Sequence, residues 1–331
     1  MQNNFDLVSI GDASVDVFIT PSESEALCEL NSKKCLICFS YGDKIPVRDL
    51  EFSAGGNASN NAVGCTRLGI NTAIVLTVGG DDIGSQIVNT LKKEAVETTF
   101  IVQQPETRSN YSNVISYMGE RTIFVYHAPR TYQFPHNLPK VPWVYLTSMG
   151  ESFQPFYNEV IEWLKANPET KLGFNPGSYQ LRADPEILDP VFARSHVVFL
   201  NRQEAEKMTG MKETDKKEKE LLKAVSAKGP KISVVTDGGN GSFIYDGNRF
   251  VHAGVLPVDA FERTGAGDAF GSGCLSALIK GKSLEEALLW GTLNSASVIG
   301  YTGPQKGLLR EEEMPTWVER AKSSGVEVKE I

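Results

Sequence analysis

The chain has only four histidines in 331 residues. None is spaced as a metal-binding pair, so a histidine-rich metal centre is excluded. Cysteine is also scarce, at five. Cys28, Cys35 and Cys38 cluster, and the last two have a C-x-x-C spacing. No second pair and no nearby histidine completes a tetrahedral zinc set. They read instead as free thiols in a half-buried strand. No apolar run is long enough to span a bilayer, so no membrane role is expected. The segment Met1–Asp6 is polar, without the apolar stretch of a secretory signal, and a cytoplasmic location is expected. Low-complexity tracts and internal repeats are missing. So is the phosphate loop G-x-x-x-x-G-K-[ST]. Lys and Arg number 33 against 41 Asp and Glu, a net charge of −8. That balance argues against a broad nucleic-acid surface, and an anionic substrate would need a local basic pocket.

Hydrophobic residues make up 41% of the chain, enough to pack a sizeable core. The pattern along it falls into two kinds. Leu7–Ile10 is a short apolar run ending in Gly11-Asp12, as expected of a buried parallel strand. Val15–Thr20, 35–41 and 45–50 read as further strands. Ala58–Leu68 reads as a close-packing helix, Ala73–Val78 as a strand and Ser85–Ala95 as an amphipathic helix. Tyr111–Tyr117 and Arg121–His127 flank Met118-Gly119-Glu120, a hairpin signal. From Trp143 onward the text becomes βα alternation. Strands are expected at 143–147, 171–175, 197–200, 231–236 and 242–245. Helices are expected at 153–166, 203–209, 216–228, 269–280 and 284–299. Repeated βα units imply a parallel sheet with helices on both faces. The strand-rich stretches 13–53 and 107–127 interrupt it and predict a small β-sheet standing off the main body. The charge run Lys212–Glu220 reads as a solvated helix start.

One segment carries most of the chemistry: Arg263-Thr264-Gly265-Ala266-Gly267-Asp268-Ala269-Phe270. Small residues leave N–H groups bare at the start of an apolar helix, where the dipole favours an anion. Gly265, Ala266 and Gly267 therefore read as an anion hole, which must hold phosphates without a phosphate-loop lysine. Asp268 sits inside this turn, where a phosphate would repel it. A general base that takes the proton of an attacking hydroxyl explains its presence. Earlier in the chain, Asp12 and Asp16 lie at the mouth of the predicted sheet, where ligands bind in open α/β folds. Gly55 and Gly56 allow close backbone approach, and Asn57 and Asn60 offer amides on one face of a helix start.

The segment 263–273 resembles the C-terminal signature of the ribokinase-like (PfkB) carbohydrate kinases, D-T-x-G-A-G-D-x-F. Gly55-Gly56-Asn57-Ala58-Ser59-Asn60-Asn61-Ala62 resembles the family's G-G-x-x-x-N-x-A. Asn201-Arg202-Gln203-Glu204 resembles its N-x-x-E, and 235–241 its V-T-x-G-x-x-G. The four occur in the family's order across residues 6–309. The resemblance implies one ribokinase-like α/β unit over 1–331. Its fold would be a three-layer sandwich with a mostly parallel central sheet and a small β-sheet lid formed by about 13–53 and 107–127. The implied activity is ATP-dependent phosphorylation of a hydroxyl of a small sugar. Asp12, Asp16, Gly55, Gly56, Asn57 and Asn60 would hold that acceptor. Some members have Lys where this chain has Asn57, so the contact here is uncharged. Asn201 and Glu204 would organise Mg2+ through water. Thr236, Gly238 and Gly241 would shape the ATP pocket, with Asn294 bordering the adenine. Glu262 stands where the family has Asp. In potassium-activated members that Asp backs a monovalent cation, so the resemblance implies K+ beside Glu262, bound more weakly by the longer side chain.

Three alternatives stand beside the sugar kinase. A nucleoside kinase would stack a base on Phe39, Tyr41 or Tyr111. A sugar-acid kinase would pair a carboxylate with Arg108. A catalytically silent, regulatory relative is opposed by the intact Asp268 and glycine turn. His127 is expected on the lid, and a homodimer would form through the lid.

Overall fold

The computed structural model describes residues 5–22, 27–31, 34–117, 120–211 and 217–331. In chain order, β1 (Leu7–Ile10) leads to β2 (Ser14–Pro21), the hairpin β3 (Leu27–Asn31) and β4 (Lys34–Cys38), and β5 (Val47–Gly55). Then come α1 (Asn57–Arg67), β6 (Thr72–Gly79), α2 (Asp82–Lys93), β7 (Ile101–Gln104), β8 (Asn110–Tyr117) and β9 (Glu120–Tyr126). The alternating half contains β10 (Trp143–Thr147), α3 (Gln154–Ala166), β11 (Lys171–Asn175), α4 (Pro185–Arg194), β12 (Val197–Asn201) and α5 (Arg202–Thr209). It continues with α6 (Glu218–Ser226), β13 (Ile232–Thr236), β14 (Ser242–Tyr245) and β15 (Phe250–Ala253). The chain ends with α7 (Ala266–Ile279), α8 (Leu284–Val298), α9 (Met314–Ser323) and β16 (Val328–Glu330).

The larger sheet has the order β16-β15-β14-β13-β12-β11-β10-β1-β6-β7. Pairing is parallel from β7 to β13 and antiparallel from β13 to β16. β1, β6 and β10 are buried along their whole length, as continuous apolar strands covered on both faces must be. Alternation then assigns each residue to a layer. Val8, Ile10, Val144 and Leu146 pack against Phe156, Tyr157 and Val160 of α3 and Phe192 of α4. Leu7, Trp143 and Tyr145 face the other way, onto Phe270 and Leu275 of α7 and Leu293 of α8. Two cores on opposite faces of one sheet make three layers.

α7 is apolar over most of its surface and buried from Ala269 to Ala277. It can lie close to α8 because a Cβ at Gly273 would fall 2.6 Å from the Trp290 carbonyl oxygen, and one at Gly291 would fall 2.9 Å from that of Phe270. The smaller sheet has the order β5-β2-β8-β9, with β2 and β8 parallel and the other pairs antiparallel. Its strands come from the two stretches that interrupted the βα pattern. Val15 and Val17 of β2 pack on α1, α2 and β6, which seats this sheet beside the carboxyl ends of β1 and β6.

The sequence reading missed β3, β7, β15, β16, α4 and α9. In α4, Pro185 and Pro190 disguised the helix, although Pro185 occupies a first-turn position that needs no N–H, and Asp184 caps it through the Glu186 N–H. The missed strands are three to five residues long, too short to show a period. α7 begins at Ala266, three residues before its expected start. The expected hairpin tip Met118-Gly119 and the first part of the charge run, 212–216, lie outside the described residues. Cys38 is a free thiol on β4 and exposed, not half-buried. The side chains of Cys28 and Cys35 lie outside the described residues. Among the described residues no helix is long and apolar enough to cross a membrane, and no group of three or more His, Cys, Asp or Glu could hold a metal.

Candidate active site

The start of α7 is set by Gly265, in the left-handed region at φ 79°. A side chain there would be strained and would also drive a Cβ to 2.3 Å from that of Pro304. Gly265 leaves the first N–H groups of α7 pointing out of the helix. The Ala266 N–H makes a long turn bond of 3.3 Å to the Arg263 carbonyl. The N–H groups of Gly267 and Asp268 take no backbone acceptor among the described residues. A Cβ at Gly267 would meet nothing within 4 Å, so the turn opens onto free space.

Two cavities meet at this turn. One, of about 270 Å³, is lined by Thr264, Gly265 and Asp268 on one wall and by Asp12, Asp16 and Asn57 on another. The second, of about 500 Å³, is reached past Arg263, Ala266 and Gly267. The helix start is the partition between them.

Asp268 lines the smaller cavity and stays partly open to it. Burial pushes its carboxyl up to about 6 against the pull of an Asn60 hydrogen bond, and the Asp16 charge adds to the rise. Asn60 Nδ2 donates to Asp268 Oδ2 at 2.8 Å. Asn60 Oδ1 in turn accepts from Gln305 Nε2 at 3.0 Å, which also donates to Ser59 Oγ at 2.9 Å. Asn60, expected as an acceptor contact, lines the cavity but spends its amide on orienting Asp268. Gln305 was missed because it sits in a Gly/Pro turn with no motif. That turn is held by Arg67, whose Nη1 donates to the Gln305 and Leu308 carbonyls while its other nitrogens pair with Glu94.

Asp16 comes from β2 and is nearly buried. Gly55 makes room for it, since a Cβ there would fall 2.1 Å from Asp16 Oδ2. Burial raises its carboxyl, hydrogen bonds from Ser14 and Ser112 oppose the rise, and the Glu262 charge adds to it. Gly56, at φ 88°, passes within 2.5 Å of Ala13 Cα by the same test, so only glycine closes the turn into α1. Asp12 is buried at the end of β1, and its Oδ2 accepts from the Tyr132 hydroxyl and the Gly150 N–H, both at 2.9 Å. Desolvation drives it up to about 6 despite these bonds and the Arg130 charge. Asn110, Ser112, Ser148 and His127 also line this cavity; the first three were not anticipated. Burial and the Arg130 charge lower the His127 imidazole, so it stays neutral at pH 7.

Asn201 and Glu204 form a reciprocal capping box at the start of α5, each side chain bonded at 2.9 Å to the other's backbone N–H. Glu204 is nevertheless raised, by burial and then by the Asp268 charge, so the two carboxylates sense each other. Thr236 ends β13 opposite Asn201 and lines the larger cavity with Gly238 and Gly241. At Gly241 (φ 87°) a Cβ would fall 2.1 Å from the Ala253 carbonyl oxygen. Asn294 does not border this cavity. It is fully buried, its Nδ2 donates to the Ala269 carbonyl at 2.8 Å, and its Oδ1 accepts from the Leu309 N–H at 2.8 Å. Its helix neighbours Thr292, Ser295 and Ala296 line the cavity instead. Glu262 is buried behind the turn, and its Oε1 accepts from the Thr264 N–H at 2.7 Å and pairs with Arg121 at 3.3 Å.

The side chains proposed for a base or a carboxylate are placed elsewhere. Tyr41 is fully exposed, and none of Phe39, Tyr41 and Tyr111 lines the smaller cavity. Arg108 borders a separate opening beside Asp81 and Asp82.

A parallel sheet, a small separate sheet, and two cavities divided by a glycine helix start define the ribokinase fold. The ribokinase of Arabidopsis thaliana complexed with ribose and ATP superposes with a TM-score of 0.77 at 19% identity, over 96% of this chain and 99% of that one. The chain belongs to the pfkB family of carbohydrate kinases, whose model matches residues 6–311. An ATP-dependent 6-phosphofructokinase of Thermoanaerobacterium thermosaccharolyticum is 24% identical over 311 residues, covering 90% of this chain and 89% of that protein. A nucleoside kinase of Methanocaldococcus jannaschii is 26% identical over 281 residues, covering 80% and 82%. This family membership supports phosphotransferase activity and the use of ATP.

Proposed function

We propose that the protein transfers a phosphoryl group from ATP to a hydroxyl of a small sugar bound in the 270 Å³ cavity. The observation that carries this is the partition itself. One helix start, with two N–H groups that take no backbone acceptor among the described residues, separates a cavity rich in carboxylates and amides from a larger one bordered by Thr236, Gly238 and Gly241. In this reading Asp16 and Asn57 hold acceptor hydroxyls, while Gly55 and Gly56 let the backbone come close. Asp12 shapes the floor. Asp268, oriented by Asn60, takes the proton of the attacking hydroxyl. The N–H groups of Gly267 and Asp268, with the dipole of α7, stabilise charge on the transferring group. Thr236, Gly238 and Gly241 border the nucleotide. Magnesium, held through water by Glu204, would neutralise phosphate charge. The mutual repulsion of Glu204 and Asp268 fits such a cation. The smaller sheet acts as a lid that excludes water from the site. We read exposed Leu50, Phe52 and Phe124 on that sheet as the face on which a second copy pairs.

A sugar is favoured over a nucleoside because no ring among Phe39, Tyr41 and Tyr111 reaches the acceptor cavity. No lysine or arginine among the described residues lines it either, so the reacting ring itself is uncharged. An ATP-consumption screen over pentoses, hexoses, sugar phosphates, sugar acids and nucleosides tests the reading. Turnover with a sugar or sugar derivative is expected. Consumption no higher than in acceptor-free controls for all classes overturns it.

The Glu262 site makes a second prediction. Glu262 Oε2 is buried with no hydrogen-bond partner among the described residues, an oxygen that a monovalent cation could satisfy. Arg121, near the start of β9, already supplies positive charge to the other oxygen. Potassium is therefore expected to stimulate turnover only weakly. Arg121→Gln should increase the stimulation, and Glu262→Gln should reduce it. Rates in potassium and in a large organic cation at matched ionic strength decide this. Equal rates in both salts for all three proteins remove the cation from the site.

A further inference from the structure

Arg130 is unexplained by the site as described. It follows β9 and is 7% exposed. Its Nη2 donates to the Arg108 carbonyl at 2.9 Å and to Asn110 Oδ1 at 3.4 Å. Nε and Nη1 are buried and have no hydrogen-bond partner among the described residues. A guanidinium keeps its charge at any ordinary pH, and burying it without acceptors is costly. Asp12 feels its charge, but the Asp12 oxygens are taken by Tyr132 and Gly150. No carboxylate among the described residues pairs with Arg130 within salt-bridge distance.

Arg130 lines a cavity of about 300 Å³ together with Tyr132, Gly150, Ser152 and Tyr179. His127 lines both this cavity and the acceptor cavity, so the two adjoin at one side chain. The neutral imidazole, packed edge-on against Tyr179 at 5.3 Å, is a polar but uncharged divider. We propose that this second cavity is a subsite for an anionic arm, a carboxylate or a phosphate, carried by the acceptor on the end away from the reacting hydroxyl. Arg130 is its counter-charge. The proposal rests on the acceptor reading of the first cavity and refines its substrate class. The charge is excluded from the ring's own cavity, which no lysine or arginine among the described residues lines, and is met one side chain further out. Arg130, not Arg108, then answers the expectation of a carboxylate-pairing arginine. Glu151 also lines the subsite. Its carboxylate opposes a bare anion and suits an ammonium, so an arm bearing both charges is accommodated as well.

The test uses a matched set: a neutral hexose, its terminal phosphate, its terminal carboxylic acid, and an amino-acid conjugate of the same sugar. Binding is read by calorimetry without ATP, and kcat/KM by ATP consumption. One of the charged members is expected to bind and react about 10–100-fold better than the neutral sugar, the range of a buried charge-assisted contact. Which of them wins identifies the arm. Arg130→Gln should collapse that ratio toward one, and Arg130→Lys should retain part of it. Thermal melts of both variants show whether the fold survives. If the neutral sugar reacts and no charged member exceeds it in either readout, the subsite is overturned while the kinase reading stands. If charged members are preferred equally by wild type and Arg130→Gln, the assignment to Arg130 fails. If nothing binds or reacts, both readings fall.

Discussion

Asp268→Asn is expected to lower turnover by about 10²–10⁴-fold, the range of a positioned general base, while ATP still binds. The substitution keeps the shape and can still accept the Asn60 hydrogen bond, so the loss isolates the proton acceptor. In the wild type the base must be ionised. Burial holds Asp268 at about 6 in the free protein, so kcat/KM for the acceptor should rise through that pH and level off above it. The residual rate of the variant should lack that component of the rise.

Stability should move the opposite way. A carboxyl raised from 3.8 to about 6 binds its proton more tightly folded than unfolded. Its favourable contribution is complete below pH 3.8 and is lost as pH rises through about 6. Above that, ionised Asp268 costs the fold something on the order of 1–2 kcal/mol, taking about 1.4 per pKa unit and discounting for its opening to the cavity. Asp268→Asn should therefore melt higher than wild type at pH 8, with the gain vanishing toward pH 4. Turnover within about twofold of wild type, far below the effect of a base, removes Asp268 from that role.

Asp16→Ala should raise the KM of the acceptor by about tenfold or more and leave that of ATP nearly unchanged. Hydrogen bonds to a charged group contribute about 1.5–3 kcal/mol, which corresponds to that range. Asp16 belongs to β2 and lines only the smaller cavity, so ATP in the larger one should not sense its loss. Fold damage should be small. The Asp16 carboxyl is itself raised by burial, and its removal relieves a desolvated charge. Ser14 loses an acceptor but remains partly open to the cavity. Initial rates with each substrate varied in turn decide the case. Equal effects on both Michaelis constants place Asp16 outside the acceptor site.

Much of this molecule was legible in its sequence, for definite reasons. Buried parallel strands such as Leu7–Ile10 and Trp143–Thr147 are short apolar runs because both faces are covered. A glycine turn before an apolar helix marks bare N–H groups whatever surrounds it, and a lone carboxylate there demands an explanation. Gly265, Gly56 and Asp268 could be singled out without coordinates for that reason. Local rules also produced a misreading at Asn294. Its polar amide on the last long helix suggested a ligand, whereas its hydrogen bonds all lie within the fold.

Tertiary structure alone decided the partners of each charge. The orientation of Asp268 depends on Asn60 and Gln305, more than two hundred residues before it and some forty after it, and no spacing rule links them. The pairing of Arg121 with Glu262 brings the smaller sheet to the back of the glycine turn. Arg130 reads as an ordinary arginine in the sequence and becomes a buried charge with two nitrogens lacking acceptors among the described residues only when the fold closes around it. Local sequence sets backbone conformation and burial period, because both act over a few residues. Which carboxylate is desolvated, which guanidinium lacks an acceptor and which cavities adjoin are set by contacts across the whole fold.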